Sequence, residues 1–422
     1  MTQKRFIIFA LVIILIASGT YFLIKIAKGY RFSLSQKTFQ ASGLLVATSV
    51  PDGAQIFIDG QLKSATNTTI SYPPGSYAIE IKKEGFTSWM KNLKIEKELV
   101  TKADAWLFPL VPNLQSLTFT GVTNPLLSPD GSKIVYQVFE NLEGKNGLWV
   151  LDLTDVLPFG SREPRQIIKS SSSRDFSNAI YQWSPDSRTL LVTDKKTVKG
   201  VSSEENFLLD TDTFTSTSQL ADVAKNQPIV SIIKEQWEKE EQLKEKQKLT
   251  KLKEELGDII RKNTKNALFS PDETQILYIA TASASIPDIL TSPLPSSSTQ
   301  AQERNLKSGQ TYIYDIKEDR NFLILKDKTC QIGQNIELSK LADNNFPSCV
   351  LQWFPSSRHL LFIEKNKIEI AEYEGTNWTT VYSGQFEFPF AYPNPAGNKL
   401  LILTNLSTLP DSLPNLYAVS LR

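Results

Sequence analysis

The chain has 422 residues with 46 basic and 45 acidic side chains, a formal net charge of +1 at pH 7. That balance excludes a general electrostatic attraction to nucleic acid, and one histidine with two cysteines leaves few side chains for metal binding or acid–base catalysis. The length suits two or three domains, and the abundance of Asn, Ser, Thr and Pro suits a loop-rich β protein.

Residues 1–5 contain Lys4 and Arg5 and precede an uncharged run at 6–24, FIIFALVIILIASGTYFLI. About 19 apolar residues cross a ~30 Å hydrocarbon core as a helix. Basic residues also follow, at Lys25, Lys28 and Arg31, so local charge leaves the orientation open. Ala17-Ser18-Gly19 offers a small-residue signal-cleavage site, but the apolar run continues past it. The expected arrangement is an uncleaved transmembrane anchor, residues 1–5 cytoplasmic and the bulk of the chain outside the cytoplasm. Cys330 and Cys349 suit export, because a disulfide between them would close a loop of about 19 residues.

Residues 25–41 read as a basic, then polar juxtamembrane spacer. From 42 to 108 the pattern alternates, with runs such as Gln55-Ile56-Phe57-Ile58 and Tyr77-Ala78-Ile79-Glu80-Ile81. Turn clusters at Pro51-Asp52-Gly53, Asp59-Gly60 and Pro73-Pro74-Gly75 separate them, which predicts a small antiparallel β-sandwich. Pro51-Asp52-Gly53-Ala54, followed by Ile58-Asp59-Gly60, Pro74-Gly75-Ser76-Tyr77 and Lys83-Glu84-Gly85-Phe86, resembles the PEGA domain family. Ser64-Ala65-Thr66-Asn67 stands where that family has a Gly-x-Thr-Pro turn. The resemblance implies a non-catalytic surface module used as spacer or attachment unit.

From 109 to 422 one phrase recurs. It reads Leu127-Ser128-Pro129-Asp130-Gly131, Trp183-Ser184-Pro185-Asp186-Ser187 and Phe269-Ser270-Pro271-Asp272-Glu273, and decays to Phe354-Pro355-Ser356-Ser357 and Asn394-Pro395-Ala396-Gly397. An apolar strand follows each copy, and a second strand follows that. Third strands are expected at Gln166-Ile167-Ile168, Ser218-Gln219-Leu220, Phe322-Leu323-Ile324 and Thr380-Val381-Tyr382. Four strands per unit make the blade of a β-propeller, here with five or six blades. The last unit runs out of chain, so the unassigned run at 114–119 is expected to complete it and close the ring. The copies resemble the TolB-type, WD40-like propeller repeat, a resemblance that covers roughly 109–422.

Two insertions lengthen the spacing between turns. Residues 229–263 read as one charged, solvated helix with Glu235–Lys239 and Glu240–Lys244 at i,i+4 spacing. Ile233 and Trp237 stand out on it as a partner contact or a docking point. Residues 282–309, rich in Ser, Pro and Thr, read as a mobile loop.

Catalytic signals are sparse. Ser128, Pro129, Asp130 and their counterparts at 184–186 and 270–272 match turn chemistry, in which Pro presets φ and Ser and Asp bond nearby amides. His359 lies on an apolar strand with no carboxylate or cysteine beside it in sequence. Two Ser-x-x-Lys matches, at Ser88 and Ser231, lack the accompanying Lys-Thr-Gly. No catalytic, cofactor or metal site is assigned. The expected protein is mainly β: a transmembrane helix, a PEGA-like sandwich, then a propeller with a charged helical insertion. Its expected role is a non-enzymatic envelope platform that binds protein or cell-wall polysaccharide. The alternative is a propeller hydrolase or lyase acting on cell-wall polymer, which needs carboxylates converging in the channel.

Overall fold

The computed structural model describes residues 3–27, 30–33, 38–139, 144–154, 163–171, 174–198, 201–220, 222–223, 228–295, 297–333, 347–407 and 412–422. They form two compact units: residues 1–110 with 290–301 and 422, and residues 111–289 with 302–421.

In the first unit, helix α1 (Gln3–Ala27) contains a 21-residue apolar span, Arg5–Lys25, long enough to cross a membrane and exposed along its length. The spacer is not featureless: Arg31–Ser33 pairs with Thr38–Gln40 as a two-stranded ribbon. Before it, Tyr30 lies under Lys25 Nζ at 4.1 Å and donates its hydroxyl to Glu98 at 2.9 Å.

Residues 43–106 form two stacked sheets, one of three strands and one of four. Alternating inward residues, among them Leu45, Ile56, Ile79, Ile81, Trp89 and Ala103, make a single buried core, as period-2 patterning requires. One pair departs from the expected antiparallel order. Gly43–Val50 runs parallel to Val100–Trp106, because the chain crosses between sheets after Trp89–Ile95 and returns alongside the first strand.

Among the described residues the second unit is a five-bladed β-propeller whose blades are separate sheets. Blade 1 (Thr123–Leu127, Lys133–Val138, Gly147–Asp152, Arg165–Lys169) and blade 3 (Thr264–Phe269, Gln275–Ala280, Thr311–Asp315, Arg320–Leu325) have four strands each. Blade 4 has the same four, Val350–Trp353 to Thr379–Ser383, plus a parallel edge strand, Gln331–Ile332. Blade 5 (Ala391–Pro393, Lys399–Thr404, Asn415–Ser420) takes its fourth strand from the start of the unit: Leu114–Ser116 pairs antiparallel with its last strand, Leu114 opposite Val419. The strand expected to complete the last blade is therefore there, and the outer edge it covers is not left open.

Among the described residues blade 2 (Ile180–Trp183, Thr189–Val198, Val201–Asp210) has three strands, not four. Of residues 218–220, expected as its outer strand, Ser218 and Gln219 lie instead in a 3₁₀ turn, Thr217–Gln219, and Leu220 is its C-cap. Ser216 caps that turn in a reciprocal box with Gln219, and Thr215 bridges to Ile168 of blade 1. Local capping of Ser and Gln outcompetes a weak strand.

Blades pack face to face. Val135 and Val150 of blade 1 meet Leu190 and Phe207 of blade 2, while Ile134 and Tyr136 meet Leu401 and Leu416 of blade 5. Leu277 and Ile313 of blade 3 meet Leu351 and Leu360 of blade 4. The opposite face of blade 3, Ile276, Tyr278, Tyr312 and Tyr314, packs on the helical insertion.

That insertion is two helices: α2 (Pro228–Thr250) and α3 (Glu254–Asn263). The single helix expected over 229–263 breaks at 251–253, where the amides of Lys251 and Leu252 bond three residues back, to Lys248 and Leu249. Glu254 and Glu255 then open α3, and Arg261 and Lys262 close it, matching its dipole. α2 is solvated and carries the Glu235–Lys239 and Glu240–Lys244 pairs; α3 buries Leu256 and Ile260.

The second insertion carries pairing of its own. Ala284–Ser285 pairs with Asn305–Leu306. Arg304 bridges Asp288 at 3.0 Å and Asp319 at 3.1 Å. Within the first unit, Thr299 Oγ1 and Gln300 Nε2 both donate to the Asn92 carbonyl, at 2.9 and 3.1 Å.

Candidate binding site on the turn face

The five repeated turns share one backbone geometry. In each, the fourth residue donates its amide to the carbonyl of the first: Gly131 to Ser128, Ser187 to Ser184, Glu273 to Ser270, Ser357 to Phe354 and Gly397 to Asn394, at 2.8–3.0 Å. That fourth residue is left-handed every time, with φ of +69°, +61°, +59°, +58° and +65°.

Side chains complete the turn. Ser128 Oγ donates to Asp130 at 2.6 Å and accepts from the Lys133 amide at 2.9 Å. Ser184 repeats this with Asp186 and Thr189, and Ser270 with Asp272 and Gln275. In the decayed copies other groups substitute: Asn394 Oδ1 accepts from the Lys399 amide at 2.9 Å. Ser356 Oγ accepts from the Arg358 amide at 3.2 Å and bonds His359 Nδ1 at 3.0 Å. His359 is thus buried in a turn contact, edge-on to Phe354.

The aspartates titrate as structural groups. Burial makes the charged form of Asp130 costlier, but hydrogen bonds from Ser128, Ser132 and Ser187 outweigh this and hold its carboxyl below the usual value. Asp272 is lowered in the same way by Ser270, Thr274 and Ser357, against burial. Asp186 is lowered chiefly by the Ser184 hydroxyl.

Two further contacts tie neighbouring blades together. Ser187 Oγ of blade 2 accepts the Asp130 amide of blade 1 at 3.1 Å, and Ser357 Oγ of blade 4 accepts the Asp272 amide of blade 3 at 3.0 Å. The tryptophan before the turn repeats the pairing: Trp183 Nε1 donates to Leu126 O and Trp353 Nε1 to Leu268 O. In blade 3 the equivalent of Ser187 is Glu273, which pairs instead with the insertion, through Lys251 at 2.6 Å and Lys248 at 3.5 Å.

Four of these turns, those of blades 1, 3, 4 and 5, border a cavity of about 560 Å³. First strands and turns of blades 1, 3, 4 and 5 line it, with Pro129, Pro271, Pro355 and Pro395 at its edge and Phe269, Trp353 and Tyr392 in its wall. Among the described residues its charged lining is Asp130 and, from the end of α2, Lys248.

Of the residues singled out in the sequence, Pro129, Asp130, Ser270 and Pro271 reach the cavity, whereas 184–186 do not line it. Ile233 and Trp237 are half-buried on α2 and also lie outside it. The insertion docks through Leu252, Leu256 and Ile260 instead. Lys248 carries no sequence signal, since it sits in a charge run indistinguishable from a solvated face. Cys330 and Cys349 form a disulfide inside the core shared by blades 3 and 4. No group of three or more metal-binding side chains occurs among the described residues.

A PEGA domain family model matches residues 42–109. No curated protein matches the chain. Among solved structures, a putative TolB from Agrobacterium tumefaciens is 15% identical over 76% of this chain and 76% of its own, with a TM-score of 0.20. TolB from Acinetobacter baumannii is 14% identical over 82% and 60%, TM-score 0.20. A Pyrococcus horikoshii acylaminoacyl peptidase is 11% identical over 92% and 52%, TM-score 0.22. Scores this low carry no argument, and the propeller assignment rests on the five sheets themselves. The chain therefore carries a PEGA domain match at 42–109 followed by a five-bladed β-propeller built on Ser-Pro-Asp turns.

Proposed function

We propose that the protein is a single-pass, membrane-anchored binding platform of the cell envelope, with its β modules outside the cytoplasm and the turn face of the propeller as its binding surface. The cavity carries this reading: it is concave and walled by apolar and aromatic side chains with polar groups set among them, as binding pockets are. The apolar span of α1 and the Cys330–Cys349 disulfide support an exported, membrane-held chain.

The alternative, hydrolysis or lysis of cell-wall polymer, requires several convergent acids. Among the described residues the cavity offers one carboxylate, Asp130, and its Oδ1 is engaged by Ser128 and Ser132. A lowered pKa also opposes use as a general acid near neutrality. In-cell crosslinking followed by purification from envelope fractions tests the platform reading. A reproducible protein or glycan partner is the expected result; recovery of none contradicts it.

A further inference from the structure

The two charged side chains in the cavity wall stand in different circumstances. Asp130 is engaged within its own turn, where the hydroxyls of Ser128 and Ser132 donate to it. Lys248 belongs to the last turn of α2 and reaches Glu273 Oε1 only at 3.5 Å, whereas Lys251 meets Oε2 of the same carboxylate at 2.6 Å. Glu273 keeps its close partner when Lys248 turns away. Lys248 Nζ also lies over the Phe269 ring at 6.0 Å, and it is able to exchange its long contact to Glu273 for an incoming carboxylate.

The rest of the wall favours apolar groups: Leu127, Phe269, Trp353 and Tyr392 lie between turn prolines. Two of its polar side-chain atoms are engaged within the propeller, Gln352 Nε2 on the Ala391 carbonyl at 2.7 Å and Ser270 Oγ on Asp272 at 2.7 Å. An apolar side chain beside a carboxylate finds both an apolar surface and a cation.

We propose that Lys248, supplied by the helical insertion, makes this cavity selective for a polypeptide segment that presents an apolar side chain next to a carboxylate. The inference rests on the reading of the cavity as the binding site and names its ligand class. It also gives the insertion a role: α3 fixes it to blade 3, and the foot of α2 brings the charge to the cavity. Lys248 is a specificity residue, and Lys251 is the one that keeps α2 latched to Glu273.

The test pans a random displayed heptapeptide library against the full chain in nanodiscs, with a glycan array in parallel. Lys248→Gln and Lys248→Glu are carried alongside, their melting compared with the parent to establish folding. The parent is expected to enrich peptides with Asp or Glu beside Leu, Ile, Phe or Trp. Lys248→Gln should weaken the selected peptides roughly ten- to hundredfold, the usual worth of a hydrogen bond to a charged group, and Lys248→Glu should shift selection toward Lys and Arg. Peptides enriched without acidic preference, or bound equally by Lys248→Gln, overturn this inference and leave the platform reading standing. Glycans bound with no peptide enriched overturn it in favour of a saccharide. Absence of any ligand on both arrays, together with no partner from envelope fractions, overturns the platform reading and this inference with it.

Discussion

At the scale of single residues, the recurrent Ser-Pro-Asp phrase is a folding device. Its first residue closes the turn, its aspartate gathers hydroxyls and amides, and its fourth residue accepts a left-handed backbone. At Gly131, φ is +69° and the space around an added Cβ is open, so Gly131→Ala isolates the backbone term. It should destabilise the protein by about 1 kcal/mol, read from urea unfolding. Three of the five positions carry Ser or Glu despite the left-handed φ, and the structure shows a reason for each. Ser187 and Ser357 accept an amide from the preceding blade, and Glu273 binds the insertion.

The turn aspartates also set an acid limit. Their folded pKa values lie below the ordinary one, so the unfolded chain binds more protons between the two values. Their contribution is complete above the unfolded pKa, near 4, and is lost as pH falls through the folded value. Urea midpoints should therefore fall as pH is lowered from about 5 to 3. Replacing Asp130, Asp186 and Asp272 by Asn should flatten that fall; an unchanged slope contradicts the assignment.

At the scale of elements, legibility followed the number of independent signals. Strands next to a turn were readable because Pro, Asp and β-branched residues agree, as at Leu190-Leu191-Val192. The strand at Leu114–Ser116, the start of the run expected at 114–119, is readable from arithmetic alone, since the last blade lacks a partner. Ser218-Gln219-Leu220 misled because three polar-to-apolar residues support a strand no better than a capped 3₁₀ turn. The insertion reads as one helix because its charge pattern runs on through Lys251-Leu252-Lys253 into Glu254. Its break shows only in the shift of apolar phase to Leu249, Leu252, Leu256 and Ile260, the residues that dock.

The two helices should consequently behave differently. Ile260→Ala removes a buried side chain packed among Tyr278, Tyr312 and Tyr314 and should cost about 2–4 kcal/mol. Leu243→Ala on exposed α2 should cost less than about 0.5 kcal/mol. Amide exchange should likewise be fast over α2 and slow over α3.

At the scale of the whole molecule, stability of the propeller depends on contacts far apart in sequence. Leu114–Ser116 covers the last strand of blade 5, and Cys330–Cys349 staples blade 4 across 19 residues. Deleting 109–120 should collapse the propeller as a unit, seen as loss of its cooperative unfolding transition; a loss confined to blade 5 contradicts closure. Replacing both cysteines by Ser should cost roughly 3 kcal/mol on the loop-entropy estimate.

Fold was legible from the repeats, whereas the candidate site was not. Its cavity is assembled from four blades and a lysine of the insertion, and no stretch of sequence brings Pro129, Trp353, Tyr392 and Lys248 together. α1 contains an apolar span long enough to cross a membrane, and the proposal that it holds exported β modules there is open to direct test. The most direct measurement is protease added to intact cells, with antibody detection at the C-terminus and in the first residues. The account predicts that the C-terminal epitope is lost while a short N-terminal fragment stays in the membrane. Full protection of the C-terminal region, or release into the medium of a chain lacking α1, would contradict it.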